Sequence, residues 1–359
     1  MNATQHVASL GQSLWLDNLS RSLIHDGTLA RLIAEDGVSG VTSNPSIFQK
    51  AVVTSPYYAE DLARLRAHEP DAERRYEALV IPDIQAACDL LRPTHEASGG
   101  NDGYVSLEVA PRWAYDATRT VEEAQRLSTA VNRRNLLIKV PDTPAGVSAF
   151  EALTTLGINV NVTLLFSVAQ TQAVFDAYIR GLTARTRAGA DVRRSKAVAS
   201  LFLSRVDTLV DQQLTAIGTQ EALALRGKTA VAMARLAYQR YRKTFHGEAF
   251  AALAQQGATP QYLLWASTGV KNPDYPDLLY VEPLIGKETI KTLPDKTLAA
   301  LRDHGQPALR VEEGIAEAET QRAELARLGI DLDAVGHTLQ DDGVKLFEAS
   351  YQTLLQQTG

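Results

Sequence analysis

The sequence predicts one α/β domain over residues 1–359, folded as a (β/α)8 TIM barrel with additional helices. Eight short apolar runs alternate with longer amphipathic stretches, which is typical of βα units. The length of 359 residues exceeds the roughly 250 of a minimal barrel, leaving room for insertions at 57–103 and 226–259 and for a C-terminal tail. The alternative, a doubly wound open sheet, usually carries a G-x-G-x-x-G motif after its first strand, and the chain contains no such motif.

The apolar runs predict the strands in chain order. They are residues 13–17, 40–44, 104–109, 135–141, 158–164, 197–203, 262–267 and 279–284. Helical spacing predicts helices between them at 122–131, 166–182 and 229–250, the first with a capping box at Thr120-x-x-Glu123. After the eighth run, the same spacing predicts C-terminal helices at 294–301, 315–328 and 344–355.

Composition narrows the partners and the compartment. The net charge of −6, with both signs spread along the chain, disfavours nucleic acid or an anionic membrane as the main partner. The single cysteine, Cys88, excludes an intrachain disulfide, and its apolar neighbours predict a core position. The N-terminus has no signal-peptide pattern and no apolar run reaches membrane-spanning length, so we expect a cytoplasmic protein. The oligomeric state stays open, with a homo-oligomer among the options.

Polar side chains recur where the strands should face the barrel interior. In the fifth run, Asn159, Asn161 and Thr163 alternate with apolar residues, so period 2 places all three on the inward face. Lys139 is the only charge in the fourth run. A lone strand lysine is more often a snorkelling residue, but similar polar positions on other strands predict a shared cavity at the C-terminal ends. These positions are Asp17, Asn44, Ser106, Glu108, Ser200, Phe202 and Arg205.

The residue types in this cavity suit carbonyl chemistry without a metal. A lysine among apolar neighbours is hard to keep charged, and a neutral amine attacks a ketone to give an electron-accepting iminium. Asp17 and Glu108 are candidates for the base and the proton shuttle. The seven histidines lie outside the predicted strands without ligand spacing, so neither a metal nor another cofactor is expected.

Other residues of the cavity are candidates for substrate binding. The amides of Asn44 and Asn161 can hold sugar hydroxyls. Arg205 and Lys271 lie just beyond strand ends, where they can bind a phosphate. The alternative for Arg205 is a surface ion pair with a nearby aspartate, Asp207 or Asp211.

Six blocks of sequence resemble the transaldolase family, each on its own predicted strand between Leu14 and about Leu301. They are Leu16-Asp17-Asn18, Val41-Thr42-Ser43-Asn44-Pro45-Ser46, Val105-Ser106-Leu107-Glu108-Val109, Leu137-Ile138-Lys139-Val140, Asn159-Val160-Asn161-Val162-Thr163-Leu164-Leu165-Phe166-Ser167 and Ser200-Leu201-Phe202-Leu203-Ser204-Arg205. The six blocks in this order form a specific signature of the family, and the segment 265–273 around Lys271 resembles its longer bacterial branch.

The resemblance implies a metal-free class I aldol mechanism on sugar phosphates. The lysine at Lys139 attacks the C2 carbonyl of sedoheptulose 7-phosphate or fructose 6-phosphate, and Asp17 takes the C4 hydroxyl proton as C3–C4 breaks. A dihydroxyacetone unit stays on the lysine until it adds to glyceraldehyde 3-phosphate or erythrose 4-phosphate, in the non-oxidative pentose phosphate pathway. Glu108 and Thr163 handle a catalytic water. The implied substrate-binding residues are Asn44, Asn161, Ser200, Phe202, Arg205 and Lys271.

Lys271 departs from the family pattern, because many members have an arginine as the second phosphate ligand. Three alternatives stay open. Fructose-6-phosphate aldolases release free dihydroxyacetone. At the positions that match Glu108 and Phe202, these relatives have Gln and Tyr. A catalytically inactive barrel could serve as a binding module, although the complete set of candidate residues argues against it. A metal-dependent sugar isomerase, a third possibility, would lose activity with a chelator.

Overall fold

A closed barrel of eight parallel strands forms the centre of the structure, a computed structural model that describes residues 2–359. Each strand pairs with the next in the chain, and the eighth pairs with the first. The strands are β1 (Gln12–Leu16), β2 (Val38–Thr42), β3 (Val105–Glu108), β4 (Leu136–Pro141), β5 (Val160–Leu165), β6 (Ala197–Phe202), β7 (Tyr262–Ala266) and β8 (Thr289–Leu293). The predicted (β/α)8 class is confirmed.

Helices surround the barrel and continue past the eighth strand. They are α1 (Ala3–Ser9), α2 (Arg21–His25), α3 (Thr28–Asp36), α4 (Pro45–Thr54), α5 (Ala59–His68), α6 (Ala72–Ala97), α7 (Ala117–Val131), α8 (Pro144–Leu156), α9 (Val168–Arg187), α10 (Ser204–Ile217), α11 (Gln220–Leu223), α12 (Thr229–Phe245), α13 (Glu248–Gln255), α14 (Asp295–His304), α15 (Ile315–Arg327) and α16 (Leu332–Thr358). Short 3-10 turns occupy Pro56–Tyr58, Pro111–Trp113 and Glu282–Leu284. Within residues 2–359, no helix combines the length and apolar character needed to cross a membrane.

The predicted eighth strand is wrong. Residues 279–284 form turns and the 3-10 segment Glu282–Leu284, whereas the strand that closes the barrel is Thr289–Leu293. Pro283 has no backbone N–H to donate, which disfavours the segment as an interior strand paired on both sides. The first seven predicted runs each overlap a strand, with ends that differ by one or two residues.

The true eighth strand escaped prediction because it is polar in sequence. Lys291 in its centre points away from the barrel interior and donates hydrogen bonds to the carbonyls of Tyr280 and Val281. The apolar segment before β8 therefore covers the strand instead of forming it. The inward residues Ile290 and Thr292 lie on the other face of the strand.

Two helix predictions need correction, and a third, 344–355, covers only part of the longer helix α16 (Leu332–Thr358). The helix expected over 122–131 begins at Ala117, and its cap is Asp116, whose side chain accepts from the Arg119 N–H. The Thr120 capping box is wrong, because the Thr120 hydroxyl donates to the Trp113 carbonyl from inside the helix. The segment 229–250 is also two helices, α12 and α13, and not one.

A tryptophan fills the middle of the barrel. Trp15 lies on the same face of β1 as Asp17, and its indole is buried. A Cβ atom on Gly40 of β2 would lie 2.5 Å from this indole, so only glycine fits opposite the ring. Cys88 is buried in the surrounding core, as predicted.

Candidate active site

A cleft of about 270 Å³ opens at the C-terminal ends of the strands. Of the ten predicted site residues, nine line it: Asp17, Asn44, Lys139, Asn161, Thr163, Ser200, Phe202, Arg205 and Lys271. Glu108 is the exception, because it reaches the cleft only through Lys139. A larger groove of about 1280 Å³ runs between α9, α12 and α15, but it contains none of these residues.

Lys139 lies at the floor of this cleft, with its side chain buried. Its Nζ donates to the Ser43 carbonyl at 3.0 Å and to Glu108 Oε2 at 3.1 Å. Glu108 and Lys139 are register partners on β3 and β4, which brings their side chains together on the inward face. The neighbours of the lysine are therefore not only apolar, contrary to what its strand sequence suggested. Burial raises the pKa of Glu108, and Lys139 opposes that rise.

Asp17 is held at the cleft wall by two strands. Its backbone N–H donates to the Leu293 carbonyl at 2.8 Å, and its Oδ1 accepts from the Thr42 hydroxyl at 2.9 Å. The Thr42 oxygen also lies 2.6 Å from that of Thr292. Burial raises the pKa of Asp17, while Lys139 and the Thr42 hydrogen bond oppose the rise. A carboxylate with a raised pKa is a better base near neutral pH.

Asn161 is at the centre of a buried hydrogen-bond chain. Its Nδ2 donates to Ser106 Oγ at 3.1 Å, and its Oδ1 accepts from Ser200 Oγ at 2.7 Å. The chain links β3, β5 and β6 and sets the orientation of the amide. One N–H of Asn161 is left to face the cleft.

Thr163 is fully buried, and its hydroxyl has no hydrogen-bond partner within residues 2–359. The next residue, Leu164, has a positive φ of 64°, and the pairing of β5 with β6 shifts register between Val162 and Leu165. Such irregularities are common beside active sites, where they redirect side chains. A buried hydroxyl without a protein partner is expected to bind water or substrate.

Asn159 does not join this group. It precedes β5, and its side chain bonds the backbone of Arg134 and Lys196 at the opposite end of the barrel. The expectation that it shares the cleft with Asn161 and Thr163 is wrong, because three residues of one strand face span too great a height for a single layer.

Arg205 and Lys271 supply positive charge at the rim. Arg205 is the second residue of α10, and its guanidinium lies 5.6 Å from the centre of the Phe202 ring. Within residues 2–359, no carboxylate lies within 4.0 Å of Arg205, and Asp207 accepts from the Tyr280 hydroxyl instead. The surface-pair alternative is therefore wrong. Lys271 is solvent-exposed on the loop after β7.

Asn44 has a local role as well as a place in the cleft. It caps α4, and its Oδ1 accepts from the Ile47 N–H at 3.0 Å. This bond directs the Nδ2 group of Asn44 to the cleft.

Several residues of the cleft were not predicted. Thr42 lay within a recognised block but was not singled out, and Thr292 was missed because the eighth strand was misplaced. Phe347 comes from α16 and lies in the cleft through long-range packing, for which no local pattern exists. The remaining unpredicted residues are Leu264, Ala266, Ser267, Gly269 and Pro294.

The arrangement suits a phosphorylated, polyhydroxylated ketone. An inward amine lies between two carboxylates, amide and hydroxyl groups line the walls, and the two cations stand at the rim. The amine can form an iminium with the ketone, one carboxylate can take a hydroxyl proton, and the cations can bind the phosphate.

Comparisons with known proteins agree with this chemistry. A family model described as transaldolase/fructose-6-phosphate aldolase matches residues 14–358. The match extends beyond Leu301, where the expected resemblance ended, and includes α15 and α16.

Curated relatives cover the whole chain. A transaldolase of Thiobacillus denitrificans is 73% identical over 359 residues, which is all of both chains. A transaldolase of Neisseria gonorrhoeae is 49% identical over 99% of each chain. "Transaldolase 1" of Streptomyces coelicolor is 46% identical over 98% of this chain and 93% of its own length.

Proposed function

This chain belongs to the transaldolase/fructose-6-phosphate aldolase family, and we propose that Lys139 is the Schiff-base lysine of its transaldolase reaction. The enzyme is a transferase of aldehyde and ketone residues. It moves a dihydroxyacetone unit between sugar phosphates in the non-oxidative pentose phosphate pathway. The observation that carries the assignment of Lys139 is its inward Nζ, 3.1 Å from Glu108 at the C-terminal end of the barrel.

Substrate binding uses the cations and amides of the cleft. Arg205 and Lys271 bind the phosphate of the ketose, and only Arg205 offers a bidentate fork. Asn44 and Asn161 donate to donor hydroxyls through amide groups whose orientation the neighbouring hydrogen bonds set. Ser200 and Phe202 line the same pocket beside them.

Imine formation requires proton transfers around Lys139. Its Nζ attacks C2 of the ketose to give a carbinolamine, which loses water to become the iminium. Glu108 gives and takes the protons of these steps through a water that Thr163 holds. The buried, unpartnered Thr163 hydroxyl supports this role, since it needs a hydrogen-bond partner.

Bond cleavage and transfer use Asp17. Its carboxylate takes the proton of the C4 hydroxyl as the C3–C4 bond breaks, and the bond electrons enter the iminium to form an enamine. The aldose phosphate leaves and an acceptor aldose phosphate takes its place. The enamine carbon then attacks the acceptor aldehyde, Asp17 returns the proton, and hydrolysis frees the new ketose.

Release of free dihydroxyacetone is the competing function within the same family. Glu108 and Phe202 favour transfer, because the relatives that release dihydroxyacetone have Gln and Tyr at these positions. We expect transfer to erythrose 4-phosphate to dominate over release when both are measured together. Release that dominates with acceptor present would favour the aldolase.

Borohydride trapping tests the proposed lysine. The protein is reduced with fructose 6-phosphate present, digested, and analysed by peptide mass spectrometry, with a control lacking the sugar. We expect a dihydroxyacetone-sized adduct on Lys139. The buried lysines Lys196 and Lys291 serve as internal controls, since both lie outside the cleft. An adduct on another lysine, or none in an active enzyme, would refute the mechanism.

We further propose that residues 1–359 form one domain and that the enzyme acts in the cytoplasm. The C-terminal α16 packs on α4, α6 and α10 over the barrel mouth, so it belongs to the same folded unit. The phosphate charges of the substrates keep these sugars inside the cell, which supports a cytoplasmic enzyme.

A further inference from the structure

We propose that Phe347 on α16 determines reaction specificity by protecting the lysine-bound enamine from release as free dihydroxyacetone. This inference rests on the proposed function of Lys139. Phe347 lies outside the recognised motif blocks, and it contributes an aromatic ring to the cleft from the helix that crosses the barrel mouth.

The position of α16 over the mouth follows from close packing at two glycines. A Cβ atom on Gly343 would lie 2.8 Å from the side chain of Leu164, directly after Thr163 on β5. A Cβ atom on Gly336 would lie 3.0 Å from the Ser167 side chain. Larger residues at these positions would push the helix outward. The glycines therefore let α16 approach the C-terminal end of β5 closely.

A hydrogen-bonded pair holds the same helix beside the nucleophile strand. Gln340 Nε2 donates to Asp142 Oδ2 at 3.1 Å and also to the Asp142 backbone carbonyl. Asp142 directly follows β4, three residues after Lys139, and both partners are buried. This pair therefore fixes the position of α16 relative to β4, the strand that carries Lys139.

Phe347 extends this contact face into the cleft. Residues 336, 340, 343 and 347 are spaced by three or four positions, which places them on one side of the helix. The Phe347 ring is 5% exposed, and its centre lies 5.9 Å from Lys139 Nζ. The adjacent Leu346 points to solvent and is 54% exposed. One helix thus offers a residue inside the cleft and a matched residue outside it.

The enamine on Lys139 can react in two ways, and the access of water determines which reaction occurs. In transfer, its nucleophilic carbon forms a bond to the acceptor aldehyde. In release, the same carbon takes a proton to regenerate the iminium. One water then adds at C2, the C–N bond breaks, and free dihydroxyacetone leaves as the lysine amine returns. An aromatic wall close to Nζ lowers the access of water to the enamine while the acceptor binds.

The test compares Phe347→Ala with Leu346→Ala, a side-chain truncation of the neighbouring exposed residue. Each variant receives fructose 6-phosphate and erythrose 4-phosphate, and sedoheptulose 7-phosphate and free dihydroxyacetone are measured together. We expect Phe347→Ala to raise the ratio of release to transfer at least about tenfold, equivalent to about 1.4 kcal/mol in relative barriers. Leu346→Ala should keep the ratio of the unmodified enzyme.

Phe347→Leu extends the test, because it keeps an apolar side chain and preserves folding if alanine does not. Its ratio should lie between those of the unmodified enzyme and Phe347→Ala. An unchanged ratio in folded Phe347→Leu and Phe347→Ala, or loss of transfer without release, would overturn the proposal. Failure of the unmodified enzyme to transfer, or to form an adduct on Lys139, would instead refute the proposed function.

Discussion

The two ends of the barrel hold similar side chains but have different chemistry. At the C-terminal end, Lys139 faces a cleft and contacts Glu108 at 3.1 Å. At the N-terminal end, Lys196 is equally buried, with its Nζ 3.6 Å from the centre of the Tyr262 ring. Both lysines lie close to carboxylates, since the charges of Asp102 and Glu288 act to raise the pKa of Lys196. The presence of a buried lysine near carboxylates therefore does not identify the nucleophile.

The N-terminal end uses its carboxylates for packing. Asp102 accepts hydrogen bonds from the Ser13 hydroxyl and the Trp15 indole. Glu288 accepts from the Tyr241 hydroxyl and lies 2.6 Å from His246 Nε2. None of these groups lines the cleft at the other end of the barrel. The C-terminal end instead keeps polar groups facing a cleft.

A lowered pKa does not by itself indicate that a lysine lines the cleft. Burial lowers the pKa of Lys196 to about 8, and it lowers the pKa of Lys291 well below its usual range. Both would be easier to deprotonate than an ordinary lysine. Neither lines the cleft, because Lys196 precedes β6 at the N-terminal end and Lys291 points out of the barrel. A place in the cleft distinguishes Lys139 from both.

The largest expected effect is the loss of activity when Lys139 is replaced, compared with replacement of Lys291. Lys139→Met should lower transfer activity at least about a thousandfold, because Lys271, the other lysine that lines the cleft, lies at its exposed rim. It should stay folded, since the raised pKa of Glu108 lets that carboxyl take a proton when its partner is lost. Activity and thermal unfolding of the purified variant are measured together.

Lys291→Met is the matched control. It loses hydrogen bonds to two backbone carbonyls, so we expect lower stability on the order of 2 kcal/mol and activity within about threefold of the unmodified enzyme. Loss of activity in folded Lys291→Met, or retained activity in Lys139→Met, would contradict the comparison.

The second prediction concerns stability at the N-terminal end. Because the folded pKa of Lys196 is about 8, below the ordinary lysine value of 10.5, the unfolded state binds more protons between these values. The stability contribution of Lys196 therefore rises as pH increases from about 8 to about 10.5, and below pH 8 its penalty is fully present. The penalty is on the order of 3 kcal/mol.

Lys196→Met removes this penalty and supplies the test. The free energy of unfolding of the variant, relative to the unmodified protein, should be greatest at pH 7 and smaller at pH 9.5. Urea titrations at both values measure it. A difference that stays constant across this range would show that Lys196 keeps an ordinary pKa.

The third prediction compares the two rim cations. Arg205→Gln should raise the KM for fructose 6-phosphate about fiftyfold, or about 2 kcal/mol, because the half-buried guanidinium can make a bidentate contact. Lys271→Gln should raise it only about fivefold, since an exposed ammonium is screened by solvent. Unphosphorylated fructose is the control, and its KM should change little. Equal effects on both sugars would exclude phosphate binding at Arg205.

The smallest expected effect is at Thr163. Thr163→Val replaces the hydroxyl with a methyl group of similar size, so kcat should fall about tenfold if the hydroxyl holds the catalytic water. Stability should change by less than about 1 kcal/mol, because that hydroxyl has no protein partner to lose. Steady-state kinetics and thermal unfolding check both parts. An unchanged kcat would remove Thr163 from the proton-transfer steps.

Local sequence determined the strands and the inward-facing side chains, which follow from alternating residue types. Apolar runs with period 2 placed seven strands, and the inward positions of Lys139, Asn161 and Thr163 followed from the same period. The prediction succeeds because the two faces of a strand have different surroundings, so the type of a residue indicates which face it occupies. The charge of Lys139 was visible for that reason.

Tertiary structure decided what depends on contacts between distant segments. The polar strand Thr289–Leu293 closes the barrel because carbonyls of the preceding loop bind Lys291, and no local pattern carries that contact. Glu108 reaches Lys139 through strand register. Phe347 enters the cleft because two glycines and Gln340 bring α16 close to β4 and β5. Such contacts form only when the packed surfaces of separate elements fit, which sequence spacing does not encode.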